Sequence, residues 1–170
     1  MPDTWSGGER LHIDSRGMSI QEPRVPGRGR RPDIEPLDVD LKGGRHRQLK
    51  DVVGDGLERD HWPSFAAIKL ALERNLGREL SPRFERWLFQ NTNTVAIDEA
   101  LHKLRRSTGG RNSPDQISGD ASDLRAAFDA DAQDFKSIGL EMGMDLHEIE
   151  DAIDAMREVN EDLGVFMWVD

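Results

Sequence analysis

The 170-residue sequence predicts an α+β protein, and three observations carry that prediction. Leu37, Val39 and Leu41 alternate with acids up to Gly43-Gly44, the period of a half-buried strand. "TVAI", Thr94 to Ile97, is a second short β-prone run. Around these, apolar residues recur every three or four positions, as in Phe65, Ile68, Leu72 and Leu76 and again in Leu146, Ile149, Ile153, Met156 and Leu163, which is the spacing of helices with one buried face.

Taken in order, residues 1–35 form a basic lead segment rich in Pro and Gly, including "RVPGRGRRP", with too few apolar residues for a core and the composition of a flexible chain. Residues 36–112 read as the core domain. Its first strand ends at Gly43-Gly44, and "RQLKDVVGDG" supplies a second extended piece closed by the turn at 54–56. Pro63 suits a first helical position, and the stripe from Phe65 then runs to Gly77. Ser81-Pro82 starts another helix through Phe84, Trp87 and Leu88; after "TVAI", Asp98 caps a helix that ends at Gly109-Gly110. Residues 113–170 form an acidic extension, in which "NSPDQISGD" reads as a linker followed by two helices, the second stopped by Gly164. The final "VFMWV" must be buried against this domain or a partner, and Trp62, Phe65, Phe84, Trp87 and Phe89 read as core.

Composition narrows the function. The absence of cysteine excludes disulfides, thiolate metal sites and cysteine nucleophiles. A mean hydropathy of −0.68 and the lack of a long apolar run argue against a membrane span, and no signal peptide is visible. The net charge of −10 is uneven: residues 113–170 hold 16 acids against 3 bases, whereas the rest is near neutral with local basic clusters, so an anionic partner remains compatible with the pI of 5.0. HExxH, GxSxG and P-loop motifs are absent.

In "DEALHKLRRSTGG", His102, Arg105 and Arg106 are spaced i, i+3, i+4 and so share a helix face, an imidazole flanked by guanidinium groups. The two arginines also suit the helix dipole in a final turn. Upstream, "GLERDHWPSFAAI" places Asp60 and His61 beside a chain bend at Pro63. Asp60 and His102 would give one divalent ion (Mg²⁺, Mn²⁺, Ni²⁺ or Zn²⁺) a mixed oxygen and nitrogen ligand set with open positions, leaving His61 as a general base. His12 and His147 have no such neighbours and take no role.

The segment from "DVDLKGGRHRQ" through "TVAIDEALHKLRRSTGG" resembles the HNH-type, His-Me finger (ββα-metal) nucleases, and particularly the LHH-like branch found as toxin domains of bacterial polymorphic toxins. The elements of the resemblance are Gly43-Gly44-Arg45-His46-Arg47, Asp60-His61 with Pro63, and His102 with the trailing Ser107, Thr108 and Gly109. Asp60 stands where that branch commonly has a histidine, and two apparent helices are inserted after His61. The resemblance implies a ββα-metal core with inserted helices and a mainly helical C-terminal extension. It implies that His61 deprotonates the attacking water, that Asp60 and His102 hold the ion, and that His46 orients the phosphate or metal shell. Arg45, Arg47, Lys103, Arg105 and Arg106 would contact backbone phosphates. The expected activity is sequence-nonspecific hydrolysis of DNA, with RNA as the other substrate, by a toxin delivered by a secretion system into a target cell's cytoplasm and neutralised by a cognate immunity protein. The competing expectation is a non-catalytic acidic helical protein, immunity-like or an adaptor, that occupies a basic cleft on another molecule.

Overall fold

Short strands bury little surface of their own, and in this chain one strand covered on both faces holds the other two. In the computed structural model, which describes residues 41–49 and 56–168, β1 (Gly43–Arg45), β2 (Leu57–Asp60) and β3 (Asn93–Asp98) form an antiparallel sheet in the order β1-β3-β2. Asn93 to Ile97 are all buried, which is why "NTVAI" shows no polar alternation. Arg45 lies opposite Asn93 and Asp60 opposite Val95, so the two edge strands bring their C-terminal ends to the start of β3. There the backbone N–H of His46 donates to the Thr92 carbonyl at 3.0 Å, and the chain enters a 3-10 turn, His46–Gln48.

The helices follow α1 (Phe65–Leu76), α2 (Pro82–Asn91), α3 (Glu99–Leu104), α4 (Pro114–Ser122), α5 (Leu124–Glu141) and α6 (Leu146–Leu163). Ser81, Ser113, Asp98, Asp123 and Asp145 cap their helices with side-chain oxygens, satisfying amides that have no intrahelical partner. Gly77 and Gly164 end α1 and α6 in the left-handed conformation, as the sequence suggests.

Several expectations are corrected. Leu37 and Val39 lie outside the described residues, and so do residues 50–55; the second strand is Leu57–Asp60, while "HRQ" forms the 3-10 turn. Pro63 precedes α1 rather than opening it, because Ser64 is the cap, its hydroxyl accepting from the Ala67 amide. The "linker" contains α4, since Ser113-Pro114 repeats the start signal of Ser81-Pro82, and three helices rather than two follow residue 112. Helix α3 stops at Leu104, well short of Gly109-Gly110, because Arg105 adopts an extended backbone and turns inward.

One apolar cluster joins Trp62, Ile68, Leu88 and Val95 to Phe128, Phe135, Ile149, Met156 and Trp168, so the acidic helices share their core with the sheet. Val165, Phe166 and Trp168 of the C-terminal run are buried within this chain. Helix α6 crosses β1 and β3, and α3 packs on β2 and β3. The first of these contacts depends on Gly43: a Cβ there would lie 2.9 Å from the Ala152 carbonyl oxygen and 3.0 Å from the Ala155 Cβ. Gly43→Ala is therefore expected to cost about 1–3 kcal/mol in urea unfolding. Gly44→Ala, whose Cβ would meet the mobile Gln48 side-chain oxygen at 3.3 Å, should cost distinctly less.

Candidate active site

Asp60 ends β2 with a carboxylate that is 5% exposed, and a buried charge of this kind must be met by donors. Oδ1 accepts from the His61 amide at 3.1 Å, while Oδ2 accepts from Trp62 Nε1 at 2.8 Å and Arg105 Nε at 2.9 Å. Its backbone carbonyl accepts from Thr94 Oγ1 at 3.0 Å. Local sequence produces this turn: Asp60 folds back on the next amide, and Trp62, two residues on, returns its indole to the same carboxylate.

His61 is fixed from the other side. Its Nδ1 lies 2.5 Å from the Asn93 carbonyl, which can only accept, so Nδ1 carries the proton and Nε2 is the acceptor nitrogen of the neutral ring. The Asn93 side chain accepts from the Trp62 amide at 2.5 Å and donates to Asn160 Oδ1 at 2.6 Å, and Asn160 Nδ2 donates to the Trp62 carbonyl at 2.8 Å. This chain of amides ties the His61-Trp62 turn to α6. The His46 ring stacks on His61 with centroids 5.4 Å apart, and Phe89 of α2 packs against both, at 4.3 and 5.3 Å.

His102 reaches the same place from α3, its Nε2 lying 3.8 Å from Asp60 Oδ1. Asp60 and His102 thus approach each other, and the ring of His61, the residue after Asp60, lies against that of His46. Among the described residues no three His, Asp or Glu side chains converge as a metal cage. The pair nevertheless fits an ion that keeps most of its shell for water and phosphate: the bonds Oδ1 accepts from the chain are limited to one backbone amide, and it faces an imidazole nitrogen.

The arginines depart from expectation. Because α3 ends before it, Arg105 does not share a face with His102; it is fully buried, pairing with Asp60, with Asp134 at 2.6 Å and with Asp131 at 3.5 Å, its guanidinium 4.9 Å from the Trp62 ring. It is closed off from any phosphate. Arg106 pairs with Asp120 at 2.9 Å and Asp131 at 3.1 Å. Lys103 is exposed but bound to Glu99 at 2.6 Å, Arg45 lies 4.0 Å from Asp162, and Arg47 is exposed on the 3-10 turn.

Four carboxylates, Asp60, Asp120, Asp131 and Asp134, surround the two guanidinium groups, so the acids outnumber the cations by two. Burial pushes Asp131 up from 3.8 to about 7 against the pull of Arg105 and Arg106, with Asp60 adding to the rise, and Asp131 Oδ2 has no hydrogen-bond partner. Sequence reasoning missed Asn93, Asn160, Asp131 and Asp134. One signal was available: Asn160 occupies a position on the apolar stripe of α6, between Met156 and Leu163, where a polar residue must find a buried partner.

No family model matches the chain, and no solved structure matches it. The chain is similar to a deoxyribonuclease. It is 39% identical over 134 residues to the protein named deoxyribonuclease CdiA of Dickeya dadantii (strain 3937). Those residues are 78% of this chain but 4% of that protein, so the chain spans a small part of its relative. Among the described residues no helix is long and apolar enough to cross a membrane.

Two outcomes follow from the buried groups. Asn160→Ala strands the Asn93 amide and the Trp62 carbonyl, and should lower stability by about 1–3 kcal/mol in denaturant titration. For Asp131, whose folded value is raised, the associated stability is present below about pH 4 and is lost as pH rises through about 7; the interval corresponds to about 4 kcal/mol at most. Thermal melting across that window should show the loss in the native chain and a flatter profile in Asp131→Asn.

Proposed function

We propose that this chain is a DNA-cleaving toxin domain of the HNH type, a ββα-metal nuclease with helices inserted between its two site-bearing strands. The observation that carries the activity is the likeness to a deoxyribonuclease over 78% of the chain. The mechanism is supported by the geometry around His61. Strands β2 and β3 pair antiparallel, α3 packs on both, and His102 Nε2 lies 3.8 Å from Asp60 Oδ1, which supports this reading.

With Nδ1 held by the Asn93 carbonyl, His61 presents Nε2 to a water and takes its proton as the water oxygen bonds to phosphorus. The P–O ester bond breaks as this bond forms, and the departing oxygen gains a proton from solvent. Asp60 and His102 would hold one divalent ion, which when bound offsets charge on the phosphate. His46, stacked on His61, orients the scissile phosphate. Arg105 holds the Asp60 carboxylate in place instead of binding substrate.

The competing adaptor reading is weakened, since Val165, Phe166 and Trp168 of the C-terminal run are buried in this chain and Asp120, Asp131 and Asp134 pair with its own arginines. As a toxin the domain acts inside a target cell and is held in check by a cognate inhibitor. Supercoiled plasmid and total RNA incubated with the protein and Mg²⁺, Mn²⁺, Ni²⁺ or Zn²⁺ test the reading. DNA cleavage should vanish with EDTA and fall roughly 100-fold or more in His61→Ala. Native protein inert on plasmid with every metal would overturn it.

A further inference from the structure

Positive charge that this chain does not itself neutralise gathers on α2. Arg105, Arg106, Lys103, Lys136 and Arg157 are all paired with carboxylates. Among the described residues, Lys42, Arg78, Arg83 and Arg86 are the cations with no ion pair, hydrogen bond or ring contact from the side chain, and two of these four stand on α2. The acid between those two, Glu85, is bound to Lys69 at 2.9 Å. Both arginines are exposed, because α2 buries Phe84, Leu88 and Asn91 on its other side.

Arg83, Arg86 and Phe89 follow one another at three-residue spacing, so they line one side of the helix. This row ends at the site, where Phe89 packs against His46 and His61. Along the axis Arg86 is about 4.5 Å and Arg83 about 9 Å from Phe89. A DNA strand rises about 3.4 Å per nucleotide, so these offsets correspond to roughly one and three steps. The 3-10 turn bearing the exposed Arg47 packs on α2 and continues the same surface.

We infer that α2 is the track for the phosphates of the DNA substrate, with Arg86 and Arg83 contacting the strand whose scissile bond lies at His61. This rests on the nuclease reading and replaces the helix α3 arginines, which the acidic helices have neutralised, as the source of affinity. Contacts of this type are electrostatic and carry little sequence preference.

The test is anisotropy of a short fluorescein-labelled DNA duplex titrated with the His61→Ala chain, which removes cleavage, over a range of salt. Adding Arg83→Ala and Arg86→Ala together should weaken binding on the order of tenfold and make the slope of log K against log salt shallower by about 1.8, about 0.9 per lost phosphate contact. Arg83→Lys with Arg86→Lys should restore most of both, and Arg125→Ala on the acidic helices should change neither. Unaltered melting temperatures would verify folding. An unchanged slope and affinity in the double alanine variant, in a protein that otherwise cuts DNA, overturns the α2 track alone. A native chain that neither binds nor cuts DNA overturns the nuclease reading and the track with it.

Discussion

The pairing of Asp60 with Arg105 is the constraint from which the rest of the site follows. A carboxylate 5% exposed at the end of a strand is costly unless charged or polar donors meet it, and no donor near it in sequence except Trp62 and the His61 amide can do so. Arg105 comes from beyond α3, and its inward turn breaks the helix at Leu104. Its remaining nitrogens then require acids of their own, which α5 supplies as Asp134 and Asp131. Arg106 extends the demand to Asp120 of α4. A segment whose charge looks like solvated surface is thus drawn onto the site as an internal counter-charge.

A second network, made of neutral amides, meets the first at His61. Asp60 takes the His61 amide, while Asn93 takes its Nδ1, and Asn160 reaches from α6 to lock both Asn93 and Trp62. The residue is therefore held at its backbone amide by Asp60 and at its ring by the Asn93 carbonyl, and both partners are themselves buried and bonded. The role of general base proposed for His61 would need such positioning, because proton transfer depends on tautomer and orientation. The helices beyond residue 112 belong to the support of the site, and α6 is the element that closes it.

What was legible in the sequence is what local pattern encodes. Apolar periodicity gave α1, α2 and α6, while Ser81-Pro82 marked the start of α2 and Asp98 that of α3. His102 and Asp60, far apart in the chain, do approach each other. Helix α4 was missed because Gly, Ser and Asp outweigh its few apolar residues, although its start signal is the same as that of α2. The early end of α3 was not legible, because "HKLRRSTGG" keeps helical spacing through Arg106 and the interruption arises from Asp60, 45 residues away. Arg105 looked like a surface cation for the same reason: the carboxylates that bury it lie on elements distant in sequence.

The charge distribution shows why a net value of −10 is a poor guide to partners. Acids that neutralise buried or nearby arginines contribute little field outside the molecule, because each opposes a cation a few ångströms away. What solution sees is the remainder. On one side are the acids of α5 and α6 that have no cation beside them; on the other are the unpaired arginines of α2 next to His46 and His61. A polyanion approaching such a molecule would meet repulsion from those acids and attraction from those arginines, so a single net charge does not describe the encounter. By pairing Arg105 and Arg106, the buried network takes both out of that balance and leaves the exposed Arg83 and Arg86 of α2 in it.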